Sequence, residues 1–165
     1  MTKSSNARKE AFLSSIPTVS IETPDDKLTV KCKFNFAYMD FSQSAGQSFE
    51  EWDKNKLSQL LNKLHYYSKE SLEFWTKQRI GAKNNNILEI YGSFPNKSDF
   101  KHPKHVPHQA LWARFRLESS VRLVGFMLPI KYKQLKHPTT EIYFDCNTFY
   151  VVFLDANHKF YITNK

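Results

Sequence analysis

Hydrophobic and polar positions alternate along "LTVKCKFNFAYMDF" from Leu28. Val30, Cys32, Phe34, Phe36 and Tyr38 fall on one side, Lys31, Lys33, Asn35 and Ala37 on the other. A period of two predicts a half-buried strand. Ser48 and Glu51 then form an S-x-x-E capping box, and Leu57, Leu60, Leu61 and Leu64 repeat at helical spacing. The pattern predicts a helix that buries a leucine stripe in the core. A second helix is expected from about Ser68, with Glu70 in its first turn, Lys77 and Arg79 at its negative end and Gly81 as its C-terminal cap.

Strand patterning returns at "ILEIYGSF" (87–94). After a loop broken by Pro103 and Pro107, "LWARFRLESSVRLVGFMLP" divides at Glu118-Ser119-Ser120 into a hairpin that Pro129 stops. "EIYFDCNTFYVVFLD" reads as one long strand or as a second hairpin turning at Asp145-Cys146-Asn147. The order is β-α-α-β-β-β-β, which predicts an α+β fold with an antiparallel sheet and a helical hairpin packed on one face. Residues 1–28, rich in Ser, Thr, Lys and Asp, are expected to form a flexible arm with a short sticky element at "AFLSSI" or "TVSIE", and residues 29–165 a single domain.

Length and composition fit one domain: 165 residues, 41% hydrophobic and 15% aromatic. No apolar run approaches the roughly 20 residues that cross a bilayer. The first twenty residues lack the apolar centre of a secretory signal, so a cytoplasmic protein without a membrane partner is expected. Cys32 and Cys146 have neither a CxxC partner nor metal-like spacing and read as reduced thiols.

The net charge of +8 changes the picture because it is unevenly placed: eight Lys or Arg lie between Lys101 and His137 against a single acid, Glu118. A focused positive field attracts phosphates. Within it, alternation puts Arg114 and Arg116 on one face of a strand, with Arg122 level with one of them across the turn; Trp112, Phe115, Leu117, Val121 and Leu123 are expected on the other. Three guanidinium groups on one face repel one another unless a phosphate backbone neutralises them; a solvated strand face with Glu118 as counter-ion is the plainer alternative. His102, His105 and His108 sit three apart, but Pro103 and Pro107 break any helix that would align them and no further ligand is near, so no metal is expected.

The last motif is "LDANHKFY", where Asp155, His158, Lys159 and Tyr161 follow an apolar run. An imidazole moves protons near neutral pH, cations stabilise a phosphorane-like charge, and a phenol donates a proton or stacks on a base. These are the parts a metal-free ribonuclease needs, since RNA carries its own 2′-hydroxyl nucleophile. The alternative is a turn histidine hydrogen-bonded to Asp155, with Tyr161 packed on the core.

The element order, the arginines of "WARFRLESSVRLVGF" and the ending "VVFLDANHKFY" together resemble the RelE/ParE superfamily of small basic toxins. The resemblance spans residues 30–161 as topology and about 30 residues as motif. The chain departs from the family in its length, its N-terminal arm and the insert "PIKYKQLKHPTTEIYFDCNT". A RelE-like branch implies a ribosome-dependent mRNA endonuclease working without cofactor or metal, as a toxin or phage-defence effector; a ParE-like branch implies interference with DNA gyrase instead. Under the first, Arg116 and Arg122 hold the scissile phosphate, and His158 or Tyr161 moves the protons. Lys101, Lys104, Arg114, Lys131, Lys133, Lys136 and Lys159 supply further phosphate contacts. Two other classes stay open. One is a non-enzymatic nucleic-acid-binding or adaptor module of phage or mobile-element origin, stacking bases on Phe100, Trp112, Tyr132 or Tyr143. The other is an inhibitor whose basic face meets an acidic protein, such as an antitoxin.

Overall fold

The computed structural model describes residues 6–23, 27–81, 85–118 and 120–162. It is an α+β fold around a five-stranded mixed sheet. The sheet comprises β1 (Lys33–Asn35), β4 (Leu88–Gly92), β5 (Leu111–Arg116), β6 (Arg122–Met127) and β7 (Thr148–Asp155), in the spatial order β1-β7-β6-β5-β4. A separate pair, β2 (Arg79–Ile80) and β3 (Asn85–Asn86), is antiparallel. The helices among the described residues are α1 (Ala7–Ser15), α2 (Lys54–Tyr67) and α3 (Leu72–Lys77), with a 3-10 turn at Ile130–Tyr132.

Strands β4 to β7 form the expected antiparallel meander, but β1 runs parallel to β7, pairing Lys33 with Thr148 and Asn35 with Tyr150. The all-antiparallel expectation is thereby corrected. β1 is also far shorter than its alternation suggested. The Asn35 side chain accepts from the Ala37 N–H at 2.9 Å, an Asx turn that bends the chain off the sheet edge after three paired residues.

The helix boundaries shift for similar local reasons. Glu51 does reach back to the Ser48 N–H at 2.6 Å, but this box closes a turn upstream of α2. The cap itself is Asp53, which accepts from the Lys56 N–H at 2.8 Å. Leu60 is buried and Leu57 and Leu64 pack beside it, while Leu61 is 64% exposed and leaves the stripe. α3 is capped by Ser71 and has only six residues. Gly81 (φ 77°) therefore sits after β2 in a hairpin and not at a helix end. The turn at Cys146-Asn147 exists, but the segment before it pairs back on residues 135–137, through a Lys136–Tyr143 bridge and the Phe144 N–H to the Leu135 carbonyl at 3.0 Å, giving neither the long strand nor the second hairpin.

Both faces of the sheet are covered. On one, Leu60, Tyr67, Leu72 and Trp75 of α2 and α3 pack on Leu88, Phe115, Leu123, Phe149 and Leu154. On the other, Phe100, Val106, Ala110 and Phe160 close over Trp112, Val124, Phe126, Val152 and Phe153. Val152 and Phe153 are consecutive yet join the same cluster, where the β6–β7 register shifts between Val124 and Gly125. That bulge turns the end of β7 and aims Asp155. In the arm, α1 buries no residue and Phe12, Leu13 and Ile16 are exposed. The arm's residues 1–5 and 24–26 lie outside the described residues, as does Ser119 of the expected hairpin turn. Among the described residues no helix is long and apolar enough to cross a membrane.

Candidate functional site

The end of the loop-covered face is polar. Strand register places Glu89 opposite Arg114, Arg114 opposite Val124, Arg116 opposite Arg122, and Arg122 opposite Asp155. Arg114 shares its face with Trp112, two residues before it, so Trp112 belongs to the aromatic cluster beside the arginines and not to the opposite face. A solvated arginine face is also excluded: Arg114 is 7% and Arg122 5% exposed.

A tight crevice with no room for a water molecule lies there, lined by Tyr91, Arg114, Arg122, Asp155, His158 and Tyr161 together with Val124 and Phe160. It thus unites Arg122, His158 and Tyr161 with Arg114. The Arg114 Nε donates to the Tyr91 hydroxyl at 3.1 Å, while its Nη1 is buried without a hydrogen-bond partner. Arg122 Nη1 donates to the carbonyls of Glu118 at 2.8 Å and Val121 at 3.0 Å, so this side chain also holds the hairpin turn. Burial, then the charges of Arg114 and Arg116, push the Arg122 guanidinium down to about 10, against the pull of Tyr91 and Asp155. Burial likewise raises the Tyr91 phenol, with Arg114 opposing it. Crowded cations in a dry place are what an anion would relieve.

Asp155, 1% exposed, accepts from the backbone N–H groups of Asn157 at 3.2 Å, Lys159 at 2.9 Å and Phe160 at 2.9 Å. Asp155 thereby fixes the turn in which His158 takes the left-handed conformation, φ 56°, costly for a residue with a Cβ. Its partners are backbone amides, where a hydrogen bond to the His158 ring was the alternative expected. Tyr161, 42% exposed, stacks on Tyr91 with ring centroids 4.9 Å apart and planes 8° from parallel, and this pair forms the outer wall.

The remaining expected contacts are dispersed. Arg116 is half-buried, and its Nε donates to the Glu118 carbonyl at 3.3 Å, outside the crevice lining; Arg114 occupies the place expected for it. Lys131, Lys133 and Lys136 follow the far end of β6, which runs about 17 Å from Arg122 to Met127. Lys101 and Lys104 lie on the loop over the aromatic cluster, and Lys159 flanks His158 without lining the crevice. Phe100 and Trp112 are core residues, 3% and 1% exposed, and offer no stacking surface. His102 packs on Phe94 and Trp112, and His105 engages the Tyr38 carbonyl at 3.0 Å. Among the described residues no group of three or more metal-ligating side chains could hold a metal ion. Tyr91 is the site residue that sequence reasoning missed; its signal is the two-residue spacing from Glu89 on β4.

No protein-family model, curated protein or solved structure matches this chain.

Proposed function

We propose that this protein binds RNA and cleaves it without metal, as the RelE-like resemblance implies, with the crevice widening at its Tyr161 wall to take one phosphodiester. The observation that carries this reading is the convergence of Arg114, Arg122, His158 and Tyr161 on one small volume, although they come from two strands and a terminal turn. The arginines neutralise the phosphate and stabilise the charge that grows on it in the transition state. The His158 imidazole takes the 2′-hydroxyl proton as that oxygen attacks phosphorus. The bond to the 5′ oxygen breaks, and the Tyr161 hydroxyl supplies its proton. The products are a 2′,3′-cyclic phosphate and a 5′-hydroxyl end. As a toxin or defence effector, the protein would meet its RNA as ribosome-bound mRNA.

The test is to add the protein and its His158→Gln variant to a translating extract and map mRNA ends by primer extension, with a parallel binding titration at two salt concentrations. New 5′-hydroxyl ends that vanish with His158→Gln are expected, together with RNA affinity that falls steeply with salt. Salt-dependent binding with intact mRNA would leave the non-enzymatic module standing. Intact mRNA and no RNA binding would overturn both.

A further inference from the structure

Against the outer side of the Tyr91–Tyr161 pair lies an open groove of about 710 Å³, the size of a small-ligand site. It runs between the exposed edge of β4 and the 93–97 loop, and Ile90, Phe94, Tyr161 and Ile162 give it apolar walls. Ser93 and Asn96 add hydrogen-bonding groups and Lys97 a cation. The groove and the arginine crevice share Tyr91 and Tyr161, so the stacked rings are the partition between an aromatic, solvent-open space and a dry, cationic one.

We propose that groove and crevice open into one site for a nucleotide of single-stranded RNA: once the Tyr161 ring turns, the phosphate seats on Arg114 and the attached base stacks against the tyrosines. The proposal rests on the RNA-binding reading and names the unit recognised. Three observations converge on it. The Arg114 Nη1 is an unpartnered donor on a side chain more than nine-tenths buried, and it faces a crevice with no fixed anion other than Asp155, whose oxygens cap the 155–160 turn. The groove next to it sets the rings of Tyr91, Phe94 and Tyr161 beside Ser93 and Asn96, which suits a heterocycle with a π face and a hydrogen-bonding edge. Tyr161 is the exposed member of the stacked pair. Its ring is 42% exposed, while the backbone beside it is anchored by the Ile162 N–H to the Lys97 carbonyl at 3.0 Å. Rotation of that ring opens the crevice to the groove, and a base between the rings restores the stack. A duplex keeps its bases paired and cannot present one there, so the site selects single strands.

The test compares binding of a single-stranded RNA oligonucleotide, the same oligonucleotide with abasic sugars, the matched duplex, adenosine monophosphate and inorganic phosphate, for the wild type, Tyr161→Leu and Arg114→Gln. Circular dichroism confirms the fold of each variant, and Asn96→Ala, on the exposed loop, provides a second probe of the groove. The expected result is that abasic sugars and Tyr161→Leu each weaken single-strand binding about tenfold, and that Asn96→Ala weakens it while leaving phosphate binding unchanged. Arg114→Gln abolishes both. Equal affinity for abasic and intact strands, with Arg114→Gln still disruptive, overturns the base half and leaves the phosphate reading. Tight adenosine monophosphate binding without RNA binding overturns the RNA reading and leaves a mononucleotide site. Wild-type behaviour of Arg114→Gln overturns the proposal entirely.

Discussion

The two faces of the sheet are covered by different means, and the difference separates stability from chemistry. On the face under α2 and α3, Leu60, Tyr67, Leu72 and Trp75 meet a continuous apolar surface. On the other face the cover is made of loops carrying Phe100, Val106 and Phe160, and it is apolar only over part of its length. At its end, two buried arginines and a buried aspartate stand where the helical face has leucine and phenylalanine. Helices deliver side chains at a fixed period and close a surface completely; loops stop where their own backbone must be satisfied, and the gap left is the crevice.

The sharpest way to break this comparison is at Gly125, whose missing side chain would point into the helical face. A Cβ there would stand 2.1 Å from the Tyr150 carbonyl oxygen and 2.8 Å from Phe149 Cε1. Backbone cannot yield as a flexible side chain can, so Gly125→Ala should cost about 3 kcal/mol, at the top of the overpacking range. Urea melts would show this as a lower midpoint with an unchanged slope. A variant as stable as the wild type would mean that β6 and β7 are less tightly apposed than described.

The next effect lies where the faces communicate. The Tyr67 hydroxyl donates to the Arg116 carbonyl, so α2 pins the end of the strand that carries the arginines, and burial pushes the Tyr67 phenol up to about 12. Tyr67→Phe should cost about 2 kcal/mol by leaving that carbonyl unsatisfied. Arg114→Met should do the reverse. It removes a buried cation that repels Arg122, and is expected to raise Tm by about 2–4 °C and, on the proposed reading, to remove phosphate binding. A loss of stability comparable to that of Tyr67→Phe would make Arg114 a structural residue like its apolar neighbours.

How much of this was legible follows the same division. The β5–β6 hairpin and the level pairing of Arg116 with Arg122 follow from alternation and a single turn, which sequence displays directly. Alternation also demanded that Trp112 share a face with Arg114, and the opposite assignment ignored that parity. What local pattern could not show was long-range. The parallel seat of β1 depends on Asn35 ending the strand and on β7, more than a hundred residues away. The bulge at Val152-Phe153, which aims Asp155, is invisible in an unbroken apolar run. The terminal cluster was visible as chemistry, yet its meeting with Arg114 and Tyr91 required three elements to be placed.

The smallest expected effect belongs to neither face. Lys33, on edge strand β1, donates to Asp145 at 2.6 Å, and Asp145 also accepts from the Asn147 N–H and the Thr148 hydroxyl. Burial alone would raise the Asp145 carboxyl, but these donors outweigh it and hold it below its ordinary value. With the folded value below the unfolded one of about 3.9, the carboxylate contributes stability above that pH and loses it as pH falls through the folded value. The pair is well exposed, 61% for Lys33 and 38% for Asp145, so after solvent screening it is worth under about 1 kcal/mol. Asp145→Asn should therefore melt slightly below the wild type at pH 7, with the gap narrowing as pH falls through the folded value of Asp145. A gap that does not change with pH would show that the carboxylate's charge does not fasten β1 to the start of β7, and that pairing rests on backbone and packing alone.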